Sequence, residues 1–351
     1  MRRAWNRERV ERVGFGGIAA GTVLILTIAT AALIDRWGGR EEEAEALLEY
    51  ARTARTEPVA LALAAAQRHR VLFLGDVHPA AQPKRIAAEL IEELARGPGL
   101  DVVVLEVAAD EQPAIDAYLA SDPEDPGILL SHPRTLRQHW GASREYLEIY
   151  RRVWRLNRAL GPDRRIRIIA ADLPDWPPVR PVSPHAAVRL YAERDAYMAD
   201  RLEREVFARH PHARVLVFMG GYHGIKSGGA TLHYGGGPPV NVTWLATRLR
   251  ERRLADVYTI LLDGSPLTAA FGDIRSYGAT RVFDFFRSRL PDVPAPFALH
   301  VDERFDFLRD PFYASSGPGM NLEILPRGYR LRDVADAYVF LGFGGRLDVI
   351  R

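Results

Sequence analysis

A series of short, continuous apolar runs constrains the fold more than any other feature of the chain. VLFLG follows Arg70, VVVLEV follows Asp101, IRIIAAD runs on from Arg165 (as RIRIIAAD), and VLVFMGG follows Arg214. VYTILLD begins at Val257 and YVFLG follows Ala337. Runs this short, rich in β-branched residues and without polar alternation, read as strands buried on both faces. Helical stretches separate them: Pro83 to Arg96, Glu111 to Ala120, Arg144 to Leu160 and Pro184 to Arg209. The pattern predicts an α/β fold with a mostly parallel central sheet flanked by helices.

The ends of the first four runs carry the chemistry. The first ends in Gly75-Asp76-Val77-His78, the second in Glu106, the third in Asp172 and the fourth in Gly220-Gly221-Tyr222-His223. In a parallel sheet all four groups emerge at the same carboxyl edge, where open α/β folds place their ligands. Two imidazoles with carboxylates have two uses there. They can leave open positions on a bound Zn, Mn or Fe ion, with His78, His223, Glu106 and Asp172 as the ligand set. Without metal, a histidine oriented by a carboxylate serves as a general base, which makes His78, Glu106 and His223 the catalytic candidates. Gly75 and Gly220, three residues before each histidine, permit a sharp turn and close approach of backbone to a ligand.

Each candidate has a structural alternative. A histidine at a strand end can be satisfied by backbone, Glu106 can pair with a nearby arginine, and Asp76 or Asp172 can cap a helix. Arg194 is a plausible partner for the site carboxylates, yet it and Asp195 also suit a solvated helix face. Tyr222 and Tyr234 flank the Gly-rich loop and read first as packed aromatics. His69, His132, His139, His185, His210, His212, His233 and His300 sit in less informative positions. No GxxxxGK[ST] loop, no GxGxxG opening a helix and no GxSxG elbow occurs, which argues against nucleotide binding and a serine nucleophile.

Composition bounds the rest. At 351 residues and 47% hydrophobic content, the chain buries a sizeable core. Its 47 Lys+Arg against 45 Asp+Glu leave a formal net charge of +2, so nucleic acid is not an expected partner. Lys84 and Lys226 are the only lysines, and nearly every cation is therefore Arg. Cysteine is absent, which excludes disulfides, Cys-ligated zinc or iron–sulfur clusters, thiol catalysis and a lipid-modified N-terminal Cys.

The N-terminus predicts a membrane anchor. GFGGIAAGTVLILTIATAALI, residues 14–34, is uncharged and just long enough to span a hydrocarbon core. Arg2, Arg3, Arg7, Arg9 and Arg12 precede it, whereas Asp35 and Glu41 to Glu43 follow, so the positive-inside rule puts residues 1–13 in the cytoplasm and the main domain outside. A cleaved signal peptide is the rival reading, with Ala29-Thr30-Ala31 as its cleavage site, and both readings export the domain. Residues 35–59 read as a helical linker, broken at Pro58, and residues 60–351 as one domain. Within it, Ser227 to Pro239 is Gly-rich and reads as a loop. An insertion at about 267–330 is too long to be structureless, with a helix or hairpin expected around Arg281 to Arg289.

The motifs together resemble the ChaN-like haem-binding-uptake family. They comprise the two G-x-x-H tetrads, Glu106, Gln112-Pro113 with Tyr118-Leu119, Trp140 with Tyr146, Ala170 to Pro174, Arg194 to Ala199 and Asp336-Ala337. That family belongs to a superfamily with the Tiki/TraB proteins and the erythromycin esterases. The resemblance implies an α/β domain with its pocket at the G-x-x-H edge, which binds haem or a metal ion in ChaN-like members. It implies metal-dependent proteolysis in the Tiki branch and metal-free hydrolysis by His and Glu in the esterase branch. Gly75, Asp76, Gly220, Tyr222 and Arg194 are then the cofactor-binding candidates. Asp76 stands where many relatives have Glu. The expectation is a membrane-anchored extracytoplasmic domain that binds haem or a divalent ion, with a hydrolase of an ester or peptide bond as the alternative. A small ligand is its expected partner, and a homodimer is left open.

Overall fold

The computed structural model describes residues 40–132, 143–177, 183–234, 238–265, 280–311, 315–317, 320–325, 328–343, 345, 347–348 and 350. The chain divides into two units, Met1–Leu47 and Leu48–Arg351. Of the first, the described part is the opening of the helix Glu41–Ala54. The expected span at 14–34 lies outside the described residues, and among those described no helix is long and apolar enough to cross a membrane. A second helix starts at Pro58, which occupies its first turn, where a missing N–H costs nothing.

The second unit holds eleven described strands: β1 (Val71–Asp76), β2 (Val102–Ala108), β3 (Arg167–Asp172), β4 (Val215–Gly220), β5 (Gly229–Tyr234), β6 (Val240–Val242), β7 (Val257–Ser265), β8 (Phe297–His300), β9 (Ser315–Gly317), β10 (Met320–Leu325) and β11 (Ala337–Phe343). Seven form one sheet in the order β3-β2-β4-β1-β7-β11-β8. Every pairing in it is parallel except that of β8 with β11, so the predicted mostly parallel α/β sheet is present.

Both faces of this sheet are covered, which is why its strands read as unbroken apolar runs. Leu72, Leu74, Val103 and Leu105 face one layer, filled by the helices Ala81–Arg96 and Arg144–Ala159 through Ile86, Leu90, Ile91, Leu147 and Val153. Val71, Phe73, Val102 and Val104 face the other, filled by Pro184–Leu202 and Leu245–Glu251 through Met198, Leu202, Leu245 and Leu249. Side-chain hydroxyls fix where two of these helices begin: Ser143 accepts from the Tyr146 N–H and Ser183 from that of Ala186. The helix from Pro184 is shorter than expected, passing after Leu202 into a π-helical turn, Glu203–Phe207.

The Gly-rich segment is the correction to the sequence reading. Part of it forms β5, a central strand of an antiparallel sheet in the order β6-β5-β10-β9. Its partner β10 comes from the insertion, far along the chain, and a pairing that distant leaves no local pattern to read. The insertion carries the expected helix, Arg281–Arg289, together with β8, β9 and β10.

Leu105, buried in the middle of β2, tests this core. Leu105→Ala is expected to lower the unfolding free energy by about 2–5 kcal/mol in urea titrations, through lost burial and a residual cavity.

Candidate functional site

Strand register brings the predicted groups to one edge. Asp76 lies beside Gly220 across the β1–β4 ladder, and β2 follows β4 up to the pair Leu105 and Phe218. The β2–β3 register then shifts between Leu105 and Ala108, at the position of Glu106. The Glu106 Oε2 accepts the Gly220 N–H at 2.8 Å, which ties the two strand ends together.

Glu106 is the shared contact of the site. The His78 Nε2 lies 3.7 Å from its Oε2, and the His223 Nε2 lies 3.4 Å from its Oε1. Both predicted histidines therefore face one carboxylate, from the turn after β1 and from the short 3-10 turn Gly221–Gly224 after β4. A Cβ at Gly220 would press on the site, 3.1 Å from the His78 Nε2 and 3.3 Å from the Glu106 Oε2. At Gly75 a Cβ would come within 3.0 Å of the Gly221 Cα.

Arg194 joins the third strand to this pair. Its Nε donates to the Asp172 Oδ1 at 3.0 Å, and its Nη2 donates to both the Asp172 Oδ2 and the Glu106 Oε1. Trp176 covers the guanidinium, with its ring 4.4 Å away. All three charged side chains are buried. Burial alone would push Glu106 up, but His223, Arg194 and His78 outweigh it and hold the carboxyl well below the usual range.

The two histidines sit in different surroundings. The His223 Nδ1 bonds the buried Asp195 Oδ1 at 2.8 Å, an oxygen that also accepts the Leu245 N–H at 2.6 Å. Burial would lower His223, yet Asp195 and Glu106 overcome it and push the imidazole up to about 10. His78 is the more open of the two, with 24% of its side chain exposed against 7% for His223. Its Nδ1 bonds the Asp76 Oδ2 at 3.0 Å. That carboxylate also takes the Tyr146 hydroxyl at 2.8 Å and the Lys84 ammonium at 2.6 Å. Burial pushes Asp76 up, and Lys84 and His78 more than offset it, so its pKa ends below the ordinary value.

Gly75, Asp76, His78, Glu106, Gly220 and His223 thus converge, and Asp172 and Arg194 join them. The divalent-ion set of His78, His223, Glu106 and Asp172 does not assemble as expected. Both Asp172 oxygens and one Glu106 oxygen are committed to Arg194. Among the described residues no group of three His, Asp or Glu side chains is arranged to hold a metal ion. Tyr222 is half-buried and stacks on Trp244 at 5.7 Å, while the Tyr234 side chain and all of Trp140 lie outside the described residues. Sequence reasoning missed Lys84 and left Asp195 as a surface residue. The first carried one signal, a lysine in a chain that otherwise uses arginine; the second stood next to Arg194 on the same helix.

A family model described as "Haem-binding uptake, Tiki superfamily, ChaN" matches residues 62–176, which bears out the resemblance over that part of the chain. Among solved structures, a mutant of the erythromycin esterase EreC in its open conformation is similar at 11% identity and a TM-score of 0.55. The similarity covers 82% of this chain and 93% of the esterase. A succinoglycan biosynthesis protein is similar at 12% identity and a TM-score of 0.54, over 81% of this chain and 90% of its own. These two share the fold. ChaN of Campylobacter jejuni with cofacial heme matches at 14% identity over 62% of this chain and 86% of its own, with a TM-score of 0.32 that has no bearing on the fold. No curated protein matches the chain.

The charge on His223 has a measurable consequence. A histidine whose folded pKa is raised from 6.5 to about 10 contributes stability that is fully present below pH 6.5 and lost as the pH rises through 10. Urea unfolding across that window is expected to show the decline in the wild type and a flatter profile in His223→Gln. An unchanged slope in the variant would show that the imidazole is not held charged. At pH 7, His223→Ala is expected to cost about 1–3 kcal/mol because it strands two buried carboxylates, and His78→Ala about 1 kcal/mol or less.

Proposed function

We propose that the chain is a metal-independent hydrolase of a carboxylic ester or a related acyl bond, with His78 as general base. The observation that carries this reading is the geometry of His78. Its Nδ1 is held on a buried, ionised carboxylate, and its Nε2 points into the half-open edge beside Glu106. A carboxylate can only accept, so Nδ1 carries a proton on Asp76, and in the neutral ring Nε2 is the nitrogen with the lone pair. That is the arrangement a histidine needs to take a proton from an attacking water.

The step is simple to follow. As water adds to the substrate carbonyl, its proton passes to the His78 Nε2, and Asp76 stabilises the imidazolium that forms. Collapse of the tetrahedral adduct then breaks the bond to the leaving group, which takes the proton back from His78. Glu106 holds the water against Nε2, while Arg194 and charged His223 keep Glu106 ionised. Around this step Lys84 pairs with Asp76, Arg194 with Glu106 and Asp172, and His223 with Asp195 and Glu106.

A second reading is haem binding, favoured by the description of the family model that matches residues 62–176. His78, partly exposed at the sheet edge, would hold the iron, with Tyr222 as the other candidate, and a bound haem would supply an iron centre for ligand exchange. In either reading we place the domain outside the cytoplasm, anchored through residues 14–34, on the strength of the arginines before that run and the acidic residues after it.

Two assays on the purified full chain separate the readings. The expected result is hydrolysis of 4-nitrophenyl acetate that survives EDTA and falls about 10²–10⁴-fold in His78→Asn, in line with loss of a general base. Haem titration followed in the Soret band is expected to give no saturable change. Tight haem binding lost in His78→Ala, with no hydrolysis by the wild type, would replace the first reading by the second.

A further inference from the structure

Lys84 stands out twice. It is one of two lysines among 47 basic residues, and it is completely buried. It lies in the first turn of the helix Ala81–Arg96, and its ammonium makes three hydrogen bonds, each to a residue of the β1 turn. They run to the Asp76 Oδ1 at 2.6 Å, the Val77 carbonyl at 3.0 Å and the His78 carbonyl at 2.6 Å. All three N–H donors of the head group are used. The Tyr146 ring lies 5.0 Å from the ammonium, and the Tyr146 hydroxyl closes the opposite side of Asp76.

The shape of this contact explains the residue type. Three acceptors from three successive residues surround one point, and a compact ammonium with tetrahedrally disposed donors reaches all three. A guanidinium spreads its donors in a plane and is larger, so it suits a carboxylate edge, as Arg194 does, and not this enclosed apex. Because the carbonyl of His78 is one of the acceptors, the clamp fixes the backbone from which the imidazole projects.

We propose that Lys84 is the positioning residue of the site: by clamping residues 76 to 78 it sets the tautomer of His78 and aims its Nε2 at Glu106. The inference rests on the general-base reading for its effect on rate, whereas its effect on His78 itself stands on the contacts alone.

The test uses the full chain with Lys84→Met, which removes all three donors, and Lys84→Arg, which keeps the charge but not the shape. Nitrogen-15 spectra of labelled histidine, with the His78 signals assigned by His78→Gln, report the tautomer, and hydrolysis of 4-nitrophenyl acetate reports the rate. In both variants the Nδ1–H tautomer is expected to give way to a mixture, with kcat falling about 10–100-fold and KM staying within twofold, as for a misaimed group. A folded Lys84→Met with the wild-type tautomer would overturn the proposal. If Lys84→Met fails to fold, Lys84→Arg decides, because a wild-type tautomer and kcat there would show that the charge alone is needed. Should the wild type hydrolyse nothing, the general-base reading falls, and the histidine spectra still decide the role of Lys84.

Discussion

The Arg194 guanidinium, shared between Glu106 and Asp172, is the interaction on which the rest of the site depends. Two carboxylates buried at the ends of adjacent strands would each carry a desolvation cost of several kcal/mol, and their mutual repulsion would add to it. One planar cation with donors on two sides meets both demands. Because it comes from the helix Pro184–Leu202, the same pairing fixes the rotation of that helix against β2 and β3. The next residue, Asp195, is then carried to the His223 Nδ1. A single step along one helix therefore supplies the clamp for the central carboxylate and the anchor for the second imidazole.

This arrangement makes two chemically similar histidines unlike each other. Both nitrogens of His223 face carboxylates, and it is enclosed, so its proton is an internal countercharge. His78 also has a carboxylate on Nδ1, but that carboxylate is already satisfied by an ammonium and a phenol. The His78 ring is also the more exposed of the two. An enclosed, charged imidazole and a more open one, set on opposite oxygens of one glutamate, are what environment makes of two tetrads that share the G-x-x-H pattern.

The central sheet was legible because burial on both faces leaves an unmistakable pattern, and the strand ends were legible because charged and Gly-His groups interrupt it. The convergence of His78, Glu106 and His223 followed from strand direction alone. What escaped has a common cause, in that it depends on partners remote in sequence. Asp195 reads as surface until its helix is seen against β4, and β5 reads as a loop until β10 is found beside it. The metal reading failed for a related reason. Residue types at an edge do not reveal that Arg194 has already claimed the oxygens. Lys84 was visible in the composition as an exception, yet only the three acceptors around it explain the exception.

The two sides of the site are braced by separate parts of the chain. The Glu106 side depends on the helix Pro184–Leu202. The Asp76 side depends on the helices Ala81–Arg96 and Arg144–Ala159, which carry Lys84 and Tyr146, and these are tied together from outside. After β11, Gly345 and Asp348 meet their starts: the Gly345 carbonyl accepts the Ala81 N–H and the Asp348 carbonyl accepts that of Arg144. The Asp348 N–H in turn donates to the buried Glu145. The Ala81 and Arg144 bonds each satisfy an N–H at a helix start that lacks an intrahelical partner. The orientation of His78 is therefore coupled through Lys84 and Tyr146 to Gly345 and Asp348, while His223 is coupled to the helix Pro184–Leu202. Glu106 is the place where the two systems meet, and this is why it, not either histidine, is the residue whose position both halves of the fold determine.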